Sequence, residues 1–459
     1  MTWQPRLPAS GNTLHEKLIA ALERDIADGV LQVGARLPPH RELAHHLGIG
    51  IGTVTKAYAE AERKGLLIAH VGRGSFVAGA PRADSVEGIS GSRIDMANNL
   101  PFLGPAEDRL SGALSQLRRR PELSSYAGYG PAGGFEAHRR AAAAWLARTA
   151  GFETVNWSNL VLCGGAQDAT ALVAAHLCKP GDTILTEAAT FFGMKNLADY
   201  AGYRLHGVAM DEQGLEPEAL DRAAKGGARV LYTIPTLQNP TGRIIGAKRR
   251  AEIVRIARAR DLWIIEDDVY GGLLSTPLEP LATLAPERTF YINSASKTLA
   301  PGLRTGFLIT PNATHFDQIL RAIRARSVTG SALGSLIATQ WIEDGTADAI
   351  LAAVRTEMRA RTRLAVDILG ASVAPLASEH SLHIWLPMPE LEAERTAGRA
   401  LLSGVEMTSP SAPIIDRELI YGLRLCLGGA PNRATLETGL RAVAAAMTSS
   451  TSAPSRDVV

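Results

Sequence analysis

Ser294-Ala-Ser-Lys-Thr-Leu-Ala-Pro-Gly-Leu-Arg304 follows directly on Thr289–Ser294, a β-branched and aromatic run with the composition of a buried strand. A lysine just past a strand end sits where open α/β sheets gather their ligands. Flanked by small hydroxyl residues and stripped of water there, its amine loses basicity and gains the nucleophilicity that a Schiff base requires. Alone, Lys297 would read as a surface lysine in a loop, and the residues around it change that reading.

Upstream lie three further segments of the same character. Asp267 ends the run Trp263–Asp267, and Tyr270 follows three residues later. A buried carboxylate there would keep a pyridine nitrogen protonated, although the triple Glu266-Asp267-Asp268 could equally cap a helix. Asn239-Pro-Thr-Gly242 signals a turn, and its amide could donate to a ring oxygen. Gly164-Gly-Ala-Gln-Asp168 joins a strand to a helix, so its backbone N–H groups can cradle a phosphate. An amine, an acid, a donor to a ring oxygen and an anion cradle are together what pyridoxal phosphate requires.

The pattern around these segments alternates short strands with helices. Strands are predicted at Leu160–Cys163, Thr183–Glu187, Tyr203–Val208, Val230–Ile234, Trp263–Asp267, Thr289–Ser294 and Thr305–Ile309. Helices are predicted at Phe135–Thr149, Asp168–Leu177, Phe192–Tyr200, Pro217–Ala224 and Lys248–Arg260. Such alternation argues an α/β fold with a mainly parallel sheet. Residues 315–367 read as largely helical, and the last part as a smaller α+β domain.

Taken together, these motifs resemble the fold-type-I pyridoxal phosphate enzymes, the aspartate aminotransferase superfamily, over about residues 94–447. The resemblance implies a large domain, 94–320, and a small one, 321–447. It implies that Lys297 carries the cofactor, that Asp267 pairs with the ring nitrogen, and that Asn239 and Tyr270 hold the ring hydroxyl. Gly165, Ala166, Gln167, Ser294 and Arg304 would bind phosphate, with Phe191 against the ring face. Tyr129 would reach the phosphate of a neighbouring subunit, which implies a homodimer. Arg424 would grip a substrate α-carboxylate, a task suited to a planar guanidinium.

Residues 10–79 form a separate pattern. Thr13 can cap a helix bearing Leu14, Leu18, Leu22 and Ile26, stopped at Gly29. A second helix, Arg41–Leu47, ends at Gly48, and a third runs from Thr53 to Lys64. Strands at Leu66–Ala69 and Gly74–Val77 flank a turn at Val71–Gly74, completing a winged helix-turn-helix. Residues 34–48, 53–58 and 72–77 resemble GntR-type bacterial regulators, so double-stranded DNA is the implied partner. The candidate contacts are Arg36, Arg41, Thr53, Thr55, Lys56 and Arg73, the last on the wing. Where that family commonly shows Ser-Arg, this chain has Gly50-Ile51, so its recognition helix lacks the usual leading arginine and hydroxyl cap. Gly48-Ile-Gly-Ile-Gly52 mimics a dinucleotide fingerprint, but no strand precedes it.

A GntR-like module joined by a Gly/Ser-bearing linker, 80–93, to an aminotransferase-like body resembles the MocR subfamily of transcriptional regulators. That resemblance implies a regulator sensing a vitamin B6 form or an amino compound. The alternative is a working aminotransferase with an N-terminal regulatory module. Composition narrows the remaining classes. Net charge is only +2 over 459 residues, so DNA binding must come from a local site. The cysteines, Cys163, Cys178 and Cys426, are isolated, so no metal centre is expected and a reducing, cytoplasmic setting fits. The N-terminal residues lack the apolar core of a signal peptide, and no apolar run is long enough for a membrane. The tail 448–459 is expected to be disordered by composition.

Overall fold

The computed structural model describes residues 3, 5–7, 13–27, 30–31, 35–63, 66–70, 74–77, 93–330 and 332–448. The chain divides into two units, 1–91 and 92–459. The linker expected at 80–93, apart from Arg93, and all of the tail but Thr448 lie outside the described residues, as do Gly29 and Arg73.

In the first unit, helices Leu14–Ala27, His40–Leu47 and Ile51–Arg63 precede an antiparallel pair, Leu67–His70 with Gly74–Val77. The first helix buries Leu18, Ile19, Ala21 and Leu22, whereas Leu14 is 49% exposed. Steps of four residues drift around a helix of 3.6 residues per turn, so a strict fourfold stripe leaves the core within three steps. The unit also starts earlier than residue 10. Trp3 packs into its core, and the indole N–H donates to Asp25 Oδ2 at 2.9 Å.

In the second unit, seven strands form one sheet in the order Leu160–Cys163, Gly306–Ile309, Thr289–Ser294, Trp263–Asp267, Val230–Thr233, Thr183–Glu187, Arg204–Val208. The last five run parallel, while Gly306–Ile309 is antiparallel to both its neighbours. The reversal follows from chain length. Only residues 295–305 separate Thr289–Ser294 from Gly306–Ile309, and a parallel crossover needs a dozen or more. The Lys297 loop is therefore a tight return at the end of the sheet.

Beyond the sheet come helices Ala313–Arg326, Ala332–Glu343 and Thr346–Leu369, then the antiparallel pair His383–Pro387 and Gly422–Cys426. The second unit begins close to the expected residue 94, but its first strand does not join the large domain's sheet. Ile94–Met96 pairs in parallel with Val405–Met407, so the first strand of this unit belongs with its last residues rather than with the large sheet. Three residues are too short to show a period in sequence, and their partner lies some three hundred residues away.

Candidate functional site

The Lys297 amine donates to the carbonyl of Asn99 at 2.5 Å. Burial lowers its pKa to about 8, with Arg424 and Arg304 acting in the same direction and Cys426 and Asp267 opposing. On the adjacent strand, Asp267 Oδ2 accepts from the Tyr232 hydroxyl at 2.6 Å. Asp267 Oδ1 is buried without a hydrogen-bond partner. Burial raises this carboxyl to about 6 against the Tyr232 hydrogen bond. Glu266 points elsewhere, as strand alternation requires. It accepts from the N–H groups of Leu281 and Ala282, both at 2.8 Å, at the start of helix Leu281–Leu284. Helix capping and an acid in the pocket are thus both present in the acidic triple, on successive residues.

Tyr270 is buried, and its hydroxyl receives amide N–H bonds from Asn239 at 3.2 Å and Asn99 at 2.8 Å. Asn239 Oδ1 in turn accepts from Arg424 Nη1 at 2.8 Å. Arg424 Nη2 donates to Thr408 Oγ1 at 2.6 Å and to the Ala97 carbonyl at 2.9 Å, while its Nε is buried and unpartnered.

At the other end of the pocket, Gly165 has φ 107° and precedes helix Ala166–Leu177, whose first turn has no side-chain cap. Arg304, itself at φ 47°, donates from Nη2 to the Gly164 carbonyl at 2.7 Å. A Cβ on Gly165 would stand 2.8 Å from that same Nη2. Glycine lets the guanidinium close on the helix start, which sets a basic group beside backbone N–H groups in an arrangement suited to an anion. Ser294 is buried beside it, its hydroxyl accepting from Ser296 N at 3.3 Å. Gln167 Nε2 donates to the Gly193 carbonyl at 2.9 Å, close to Phe191, whose ring lies 5.0 Å from that of Phe192. Tyr129 is 87% exposed and takes no part in these contacts.

Lys297, Asp267, Tyr270, Asn239 and Arg424 thus converge from four separate stretches of sequence. Asn99, Tyr232 and His383 join them without having been foreseen. Tyr232 carried a weak signal, as the one ring hydroxyl in the apolar run Val-Leu-Tyr-Thr. Asn99 and His383 carried none, since each reaches the pocket only through tertiary contacts. The pocket fits pyridoxal phosphate. The unpartnered Asp267 oxygen suits a donor such as a protonated ring nitrogen, and the helix start at Gly165 with the Arg304 guanidinium beside it suits a phosphate. Among the described residues no cluster of His, Cys, Asp and Glu could hold a metal ion, and no helix is long and apolar enough to cross a membrane.

In the first unit, helix Ile51–Arg63 buries Val54, Ala57, Tyr58 and Ala61. The same period turns Thr55 and Lys56 outward, with Thr53 half-buried. The helix starts two residues before the predicted Thr53, directly after Gly50, and Ile51 is 49% exposed. Thr55 Oγ1 lies 3.1 Å from His40 Nδ1, which ties this helix to the one before it. Arg41 is exposed on that preceding helix, and Arg36 is exposed as well.

Helix, helix and wing in one unit, with a lysine pocket on a mostly parallel sheet in the other, define a winged-helix protein with an aminotransferase-type second unit. Residues 96–449 match the family Aminotransferase class I and II, and residues 14–77 match bacterial regulatory proteins of the gntR family. The HTH-type transcriptional regulator YdeF of Bacillus subtilis is 31% identical over 393 residues, spanning 85% of this chain and 84% of its own. The vitamin B6 salvage pathway transcriptional repressor PtsJ of Salmonella typhimurium is 32% identical over 68% of this chain and 70% of its own. Among solved structures, kynurenine aminotransferase of Pyrococcus horikoshii superposes with TM-score 0.71 at 22% identity, covering 78% of this chain and 91% of that one. The chain belongs to the GntR-type helix-turn-helix transcriptional regulators that carry a class I and II aminotransferase domain.

Proposed function

We propose that this regulator binds double-stranded DNA as a homodimer and that its pyridoxal phosphate pocket senses a vitamin B6 form or a small amino compound. The observation that carries the reading is the pairing, in one chain, of an outward Thr55–Lys56 helix face with a buried lysine–aspartate pocket. The likeness to PtsJ, named for vitamin B6 salvage, supports the choice of ligand.

When bound, the cofactor supplies an aldehyde for amines and a ring that withdraws electrons. Lys297 would hold it covalently, helped by an amine that burial has made less basic. Asp267 would keep the ring nitrogen protonated, and Tyr270 and Asn239 would hold the ring hydroxyl. Gly165, Ala166, Gln167, Ser294 and Arg304 would bind its phosphate, Phe191 would lie against the ring, and Tyr129 would complete the phosphate site of a second subunit. Arg424 would take the carboxylate of an amino acid. Arg36, Arg41, Thr53, Thr55 and Lys56 would contact DNA, with Arg73 from the wing.

Because Arg424 stands ready beside Asn239, turnover of an amino acid is the second reading. Mobility shift on the gene's own upstream DNA and on random duplex, with and without cofactor and candidate amino acids, separates the two. The regulator reading expects preference for the upstream DNA, altered by ligand. No preference under any ligand, together with catalytic turnover, would establish the enzyme instead.

A further inference from the structure

His383 is fully buried, and its Nε2 lies 3.0 Å from the Gln238 carbonyl. A carbonyl has no hydrogen to give, so Nε2 must carry the proton and donate it. Burial, reinforced by Arg424, holds the imidazole neutral, with its pKa lowered to about 3. Nδ1 is therefore a bare acceptor, and Asn99 Nδ2, at 3.1 Å, is the group that donates to it. This fixes the rotation of the Asn99 amide, whose other N–H goes to the Tyr270 oxygen at 2.8 Å.

The second amide on Tyr270 is fixed by the same logic. Arg424 can only donate, so the Asn239 oxygen must face it at 2.8 Å, leaving Asn239 Nδ2 for Tyr270 at 3.2 Å. The Tyr270 oxygen thus receives two N–H donors whose polarity neither amide can reverse, and its own proton must go to a third atom. Among the described residues, no hydrogen bond takes that proton.

We propose that Asn99 and His383 are positioning residues that turn the Tyr270 hydroxyl into an obligate donor toward the bound ligand. A ligand oxygen at that position is then held in its electron-rich, accepting form. The inference rests on the cofactor reading above and adds to it two side chains that act through Tyr270, apart from the Asn99 backbone carbonyl that meets Lys297.

The test is a double-mutant cycle on the full chain freed of cofactor, read as the dissociation constant of pyridoxal phosphate by titration rather than as activity. Asn99→Ala should weaken binding on the order of tenfold, the scale of one hydrogen bond to a charged acceptor. In a Tyr270→Phe background, where there is no proton to aim, the same change should alter binding less than about twofold. An equal loss in both backgrounds overturns the proposal. Asn99→Asp keeps the shape but offers an oxygen where the amide offered a hydrogen, so it should draw the Tyr270 proton to itself. It should weaken binding at least as much as the alanine variant, and the oxygen it sets against the bare His383 Nδ1 should also lower the melting temperature without cofactor. Wild-type affinity in Asn99→Asp also overturns the proposal. A wild type that takes up no cofactor overturns it too, and removes the cofactor reading with it.

Discussion

Burial that holds the Lys297 amine at about 8 rather than 10.5 has a measurable consequence for cofactor uptake. At pH 7 a pKa of about 8 leaves about one amine in ten unprotonated, against about one in three thousand for an unperturbed lysine. Since only the free amine attacks a carbonyl, this free fraction, about three hundred times larger, should make uptake of pyridoxal phosphate by cofactor-free protein faster near neutrality than at an ordinary lysine. The rate, followed by the colour of the lysine-bound cofactor, should rise with pH and level off above about 8. The neighbouring charges set the sign of two further shifts. Asp267 raises the Lys297 pKa and Arg424 lowers it. Asp267→Asn should therefore move the midpoint down, and Arg424→Gln should move it up. A rate still climbing through pH 10, or midpoints moving in the opposite sense, would refute the account of this pocket.

Other outcomes follow from the same geometry. Asp267→Ala removes the buried oxygen that awaits a ring donor and should weaken cofactor binding by about 1.5–3 kcal/mol, the worth of one charge-assisted hydrogen bond; unchanged affinity in a titration would count against that role. If Tyr129 completes a partner's phosphate site, sedimentation should show a dimer, and a stable monomer binding cofactor at full strength would exclude it. Lys56→Ala should lower DNA affinity on operator and random duplex alike. In a dimer it should reduce the salt slope by roughly two, at about 0.9 for each phosphate no longer neutralised, and an unchanged slope would remove Lys56 from the interface. Arg41→Ala should instead relax sequence preference by about 1–3 kcal/mol per site if it reads a guanine, as selection from a random duplex pool would show.

Much of this architecture was legible because the residues that make it are close in sequence. The strands Leu160–Cys163, Thr183–Glu187, Trp263–Asp267 and Thr289–Ser294 have the predicted bounds, each a short apolar run between turn residues. The Lys297, Asp267 and Asn239 segments could be read because each motif lies at the end of such a run. The pairing of Ile94–Met96 with Val405–Met407 was hidden, because sequence spacing says nothing of contacts between distant short strands. Asn99 and His383 were hidden for a related reason. Their meaning lies in which nitrogen faces which oxygen, and that exists only once five segments have been folded together. The first helix shows a smaller failure of the same kind, as Leu14 fits a fourfold stripe but not the face that the fold buries.

The strand Ile94–Met96 has a mechanical consequence. It is the first strand of the second unit, it is zipped to Val405–Met407, and three residues later the chain reaches Asn99 in the pocket. The segment that carries Asn99 into the pocket is therefore fastened by a two-strand clasp rather than by the large sheet. Only Ala97 and Asn98 separate that clasp from Asn99, so a shift at the clasp reaches the Tyr270 hydroxyl through a handful of covalent bonds. A coupling of this kind needs no wire of packed side chains, because the backbone itself runs from the clasp to the pocket.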